Sequence, residues 1–268
     1  MVNKFLLVVM VTVAIRNEES HRSTSVAFEI ESSALAWNVP DKATYAERTM
    51  SKIGIPVCAF PEVCDKACCD AAGLIDNMLQ TADPNVVSRM QVGQCKIGII
   101  GKNQKTTDMP PHAYLKGTTG PGGRDYNETT RGLGATKSRP TSTAGEENIL
   151  DPRTDPKYST ESILVHEFSH MVMNVGFSSK QMKAVKKAYE SAIKAGFDKS
   201  LYMFSNVEEF WANGSQAWFH AITRTDVNAG ITTRELVNSK LPRLAKLMTE
   251  VYGDSEWTYS DTCPRLRG

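Results

Sequence analysis

Apolar and polar positions alternate with a helical period through most of the second half of the chain. Ile163, Leu164, Phe168, Met171, Val172 and Val175 recur three and four apart, which predicts a buried helix. Ser159 or Thr160 is placed to cap its start, and Gly176 to stop it in a left-handed turn. Ser178 or Ser179 opens an amphipathic helix to Ala195, with Lys180, Lys183, Lys186 and Lys187 on a solvated face and Gly196 as the stop. Residues 205–220 predict another helix. Thr233 starts the last, with Leu236, Leu241, Leu244 and Leu247 inward and Pro242 dividing it.

The first half is more mixed. Strand character shows near residues 25–30, and residues 40–51 read as a short helix. A second helix is expected over 65–80 and a third from Asp83-Pro84-Asn85. Cys95-Lys-Ile-Gly-Ile-Ile-Gly101 reads as a buried strand closed by glycine. Residues 102–157 show no period and are dense in Gly, Pro, Thr and Asn. They form either an irregular wall of a substrate cleft or a linker. The sum is an α+β fold, mainly helical with a small sheet.

The N-terminus reads as an address. Lys4 precedes an apolar run over residues 5–14 that ends at Ala14, the pattern of a secretory signal peptide spanning 1–14; a buried first strand is the alternative. The chain has six cysteines, Cys58, Cys64, Cys68, Cys69, Cys95 and Cys263. An even number in an exported chain predicts disulfides, stapling a helical N-terminal subdomain over 15–94, with residues 95–268 as the catalytic domain. Asn127-Glu-Thr is a usable glycosylation sequon. Asn213-Gly-Ser falls within an expected helix, where a glycan would block the site. A formal net charge of +1, scattered along 268 residues, gives no footprint for nucleic acid or a membrane surface.

The chemistry lies in His166-Glu167-Phe168-Ser169-His170. On a helix, residues four apart share a face, so both imidazoles can grip one metal ion, and Glu167 projects beside it to take a proton from a bound water. This is the HExxH pattern of zinc peptidases, and it implies one zinc ion per chain. A third ligand is needed, and Glu209, Glu208 and His220 compete for the place. Ser205 and Glu208 fit a capping box, which turns Glu208 back on its own helix. His220 lies about 16 Å further along the axis than Glu209, so both cannot bind one ion. Glu209 is favoured. No third histidine follows at the spacing of the metzincins, which argues against that group.

Tyr202-Met-Phe-Ser-Asn-Val-Glu-Glu209-Phe-Trp-Ala212 resembles the second zinc helix of the anthrax lethal factor-like metallopeptidases, of the Glu-zincin group. The wider pattern resembles a set of little-characterised secreted members through Arg-Gly-Leu-Gly (131–134), Gly-Glu-Glu-Asn (145–148) and Trp-Ala-x-Gly-x-Gln-x-Trp-Phe (211–219). The resemblance implies a zincin-like domain with Glu209 as ligand and Tyr202 assisting the reaction. Relatives carry an acidic residue where this chain has Asn213, which is expected to accept a hydrogen bond from a ligand histidine and polarise it less.

The expected protein is a secreted, monomeric zinc endopeptidase acting on peptide or protein substrates. Its peptide would pair with residues 95–101, and His112 would serve either the oxyanion or a surface loop. Two other readings stay open: a zinc-stabilised binding or structural protein with weak or no activity, and a zinc hydrolase of a non-peptide bond.

Overall fold

The computed structural model describes residues 45–120, 123 and 125–262. The expected signal peptide, the strand near residues 25–30 and Cys263 lie outside them. Five strands form one mixed sheet: β1 (Ala46–Met50), β2 (Pro56–Ala59), β3 (Lys96–Ile100), β4 (Gly132–Leu133) and β5 (Thr141–Gly145), in the order β1-β2-β3-β5-β4. The β2–β3 and β3–β5 pairs are parallel, and the outer pairs antiparallel.

Between β2 and β3 the chain forms α1 (Asp65–Met78) and α2 (Pro84–Val92), the latter capped by the Asp83 side chain. A short helix α3 (Glu146–Leu150) follows β5. The helical half then runs through α4 (Ile163–Met171), α5 (Ser179–Lys194), α6 (Val207–Trp218), α7 (Arg234–Lys240), α8 (Pro242–Tyr252) and α9 (Tyr259–Thr262). Ser178 caps α5 in a box with Gln181, and Gly196, at φ +98°, ends it as expected. Pro242 begins α8 and so separates it from α7. Among the described residues no helix is long and apolar enough to cross a membrane.

Several expectations are corrected. Residues 46–50 are a strand, where a helix was expected. Arg48 there donates to Phe60 O at 2.8 Å and pairs with Asp65 at 2.6 Å, contacts that hold it beside β2. The described part of 15–94 has no core of its own: β2 pairs with β3, and residues from Ile55 to Tyr259 share one hydrophobic cluster. The 102–157 stretch hides the edge strand β4 and the interior strand β5.

The disulfide staple is also absent among the described residues, where all five cysteines are thiols. Cys58 lies within β2 and Cys95 just before β3, both buried, whereas Cys68 and Cys69, adjacent on α1, turn one inward and one to solvent. Burial raises the Cys58 thiol to about 11 and the Cys95 thiol to about 12, which keeps both protonated and unreactive.

His112 belongs to neither of its expected places. It is 3% exposed, with Nε2 3.0 Å from Thr143 Oγ1 of β5 and Nδ1 without a partner. Burial, helped by Arg139, pushes it down to about 4. The unfolded chain, with an ordinary imidazole near 6.5, therefore binds a proton that the folded chain refuses. Stability is fully present above that pH and falls as pH drops from about 6.5 towards 4, by up to about 3 kcal/mol. Urea unfolding at pH 7 and pH 4.5 should show this loss, and His112→Gln should flatten the difference.

Candidate metal centre

Helix α4 begins at Ser162, whose hydroxyl caps Val165 N. The cap is thus two or three residues later than expected. Asn148, buried on α3, fixes this start by accepting from Ile163 N at 2.8 Å and donating to Glu161 O at 3.0 Å. A π-turn over Val172–Gly176 ends the helix without any left-handed residue, so Gly176 is not the expected stop. Helix α6 packs across α4, with Trp211 Nε1 donating to Ser169 O at 3.0 Å. Tyr252 of α8 links the two, its hydroxyl 2.9 Å from Ser215 Oγ and 3.3 Å from Ser169 Oγ.

This packing decides which carboxylate of α6 faces the two histidines. Asn206, not Ser205, caps α6, taking Glu209 N at 2.8 Å. Glu208 points to solvent, and Glu209 turns onto α4. Its Oε2 lies 3.1 Å from His166 Nε2 and 3.8 Å from His170 Nε2, and the two nitrogens are 3.1 Å apart. Ligands about 2.0–2.1 Å from a tetrahedral ion stand about 3.3 Å from each other, so these three atoms fit around one metal. His166, Glu167 and His170 also offer donor atoms within 4.8 Å of one another. His220 is elsewhere, 3.6 Å from Glu235.

The electrostatics suit a cation. Burial opposes charge on His166, but the Glu209 carboxylate outweighs it and holds the ring up to about 10. Glu209 is correspondingly held down to about 2 in spite of its burial, chiefly by His166. Burial and the neighbouring cationic ring push His170 down to about 4. Glu209 Oε2 is buried without a well-aligned donor, since its contact with His166 is close but off the hydrogen-bond line. A buried carboxylate oxygen left in that state, facing two imidazole nitrogens, is what a metal site requires.

The sheet meets α4 along β4 and β5. Ser142 Oγ of β5 donates to Glu167 O at 2.6 Å and accepts from Ala135 N at 3.0 Å, while Asn174 Nδ2 donates to Ala135 O at 2.9 Å. These bonds clamp the edge strand over the HExxH turn. Two glycines permit the approach. A Cβ at Gly132 would meet Ile163 Cγ2 at 2.4 Å and Glu167 Oε1 at 3.0 Å; one at Gly134 would meet His170 Cβ at 2.6 Å.

The fold defined by this sheet and helix pair is known from a solved structure. The PRO-PRO endopeptidase from Paenibacillus alvei matches with a TM-score of 0.52 and 13% identity, over 72% of this chain and 96% of that one. Neither a protein-family model nor a curated protein matches the sequence. The likeness therefore speaks for the fold, and the chemistry must be read from the residues.

Gly134→Ala should cost about 1–3 kcal/mol, because the nearest atoms belong to the helix-bound root of His170 and cannot swing away. Gly73→Ala at an exposed position of α1, with nothing within 4 Å of the new methyl, should stabilise by about 0.5–1 kcal/mol. Thermal melts of the two variants side by side test this contrast.

The remaining expected residues fall as follows. Tyr202 is 40% exposed on the open side of the site, its ring stacked on His166 at 6.1 Å and its hydroxyl bonded to the Glu209 carboxylate. Asn213 is buried but donates to Glu209 O at 3.3 Å, within its own helix, and does not reach a histidine. Gln216 takes that part, with Oε1 3.1 Å from His166 Nδ1. Asn127 is half-buried and its side-chain oxygen accepts from the Thr107 hydroxyl.

Proposed function

We propose that this protein is a secreted zinc endopeptidase. The observation that carries the reading is the convergence of His166, His170 and Glu209 from two helices, with Glu167 beside them. Two imidazoles and one carboxylate are a donor set that suits zinc and leaves a fourth position for water. A zinc ion held there supplies a Lewis acid and lowers the pKa of a bound water.

The protein's own groups supply the rest. Glu167, next to the ligands, accepts the water's proton and later delivers it to the leaving amine. Tyr202, whose hydroxyl rests on the Glu209 carboxylate, would turn that O–H to the oxygen that gains charge, a contribution of about 3 kcal/mol. The substrate strand is not β3, whose two sides are filled by β2 and β5. Among the described residues strand β4 is an edge strand paired with β5 alone, and its other side would pair with an extended peptide beside Glu167. The fold shared with an endopeptidase agrees with cleavage inside a peptide chain. Export rests on the signal-like residues 1–14, since the described cysteines form no disulfides.

An inactive binding protein was suggested by Asn213 alone, and Gln216 now stands against His166 in its place. Incubating purified protein with a mixed peptide library tests the function. Cleavage that stops with a chelator and returns with zinc is the expected result. Intact peptides in the presence of stoichiometric zinc would refute it.

A further inference from the structure

Behind His166 the hydrogen bonds have a fixed direction. Gln216 is fully buried, and its amide nitrogen faces two acceptors, Glu161 Oε2 at 3.0 Å and Ser162 O at 3.1 Å. Turned round, the amide would set its oxygen against a carboxylate and a carbonyl and lose both buried bonds. Its oxygen is therefore committed to the opposite side, 3.1 Å from His166 Nδ1. Only an N–H at Nδ1 satisfies that contact. When a metal displaces the ring's other proton, the lone pair is left on Nε2, the nitrogen that faces His170 and Glu209.

Glu161 is anchored in turn. It is 8% exposed, and its Oε1 accepts from Arg224 Nη1 at 3.1 Å, while Arg224 also pairs with Asp226 at 2.7 Å. A chain of directed contacts thus runs from the surface to the back of one imidazole, through residues 50 positions or more from their partners in sequence.

We propose that Glu161 and Gln216 are positioning residues that decide which nitrogen of His166 is offered to the metal, with Arg224 holding Glu161 in register. This rests on the metallopeptidase reading above. Neither residue touches the reacting atoms. They act by denying His166 the alternative tautomer, in which Nε2 carries the proton and cannot ligate.

Glu161→Gln tests it with the least change of shape. Residue 161 can then present either an oxygen or an amino group, and Ser162 O alone is left to hold Gln216 in its orientation. Zinc affinity, measured by competition with a chromophoric chelator, should fall by about 10- to 100-fold. The melting temperature of the metal-free variant should stay within about 4 °C of the parent. Gln216→Leu, which removes both ends of the amide, should weaken zinc to a similar degree and serves if the first variant does not fold. Proton–nitrogen NMR of the metal-free parent should show an exchange-protected Nδ1–H on His166 that is lost in Gln216→Leu. Zinc affinities within twofold of the parent in both variants would overturn the positioning role, as would absence of that protected proton. A parent that binds no zinc while showing the proton would instead refute the metallopeptidase reading and leave the hydrogen-bond direction established.

Discussion

Replacing Glu167 with glutamine is expected to lower kcat/KM on a cleavable peptide by about 10³-fold, within the 10²- to 10⁴-fold range of a lost general base. That corresponds to about 4 kcal/mol of barrier. The change should be confined to chemistry. Glu167 is held on α4 by its backbone, whose carbonyl accepts from Ser142, and glutamine preserves its length and shape. His166, His170 and Glu209 are untouched, so zinc should remain stoichiometric by elemental analysis. Because the carboxylate acts on the water's proton, kcat should fall more than KM rises. A variant that retains a tenth or more of parental turnover with bound zinc would remove Glu167 from the mechanism.

The parts of the site legible in the sequence are those that one helix encodes by itself. The four-residue spacing of His166 and His170 needs only the α-helical repeat, and the apolar stripe around them announces the helix. Glu209 required more, since its competitor Glu208 is one residue away. The expected capping box at Ser205 is off by one: Asn206 caps α6, and Glu208 faces solvent. Gln216 lies two turns beyond Glu209 on the same face, and the Trp-Ala-x-Gly-x-Gln pattern had displayed it. Nothing local said that an amide, not Asn213, would meet the ring.

The strands were harder for a related reason. Thr141-Ser-Thr-Ala-Gly145 is buried throughout but carries no large apolar residue. Its small side chains let α4 approach, which is a property of two elements together and leaves no period in one. Residues 46–50 contain Ala46, Glu47 and Arg48, good helix formers, and pairing with β2 overrides that preference. Cysteine number suggested bridges, whereas bonding requires two sulfurs brought to bridging distance, and the five described cysteines are all free.

Exchanging the two neighbouring carboxylates of α6 for alanine should separate them sharply. Glu208→Ala removes a solvent-exposed group and should leave stability within about 0.5 kcal/mol and activity unchanged. Glu209→Ala removes a carboxylate oxygen that lies 3.1 and 3.8 Å from the two imidazole nitrogens. Two nitrogens cannot enclose an ion as three donors do, and the loss should exceed that of disturbing a ligand's neighbour, so zinc should bind at least about 100-fold more weakly. Activity should vanish at micromolar zinc and should not return fully at saturation, because the metal's charge and its fourth position both change when a carboxylate is lost. Glu209→Asp makes the third arm. It keeps the charge but falls one methylene short of the ring nitrogens, and should recover part of the affinity. If Glu208→Ala proved the damaging change, the register of α6 against α4 would be wrong by one residue, and the donor set with it.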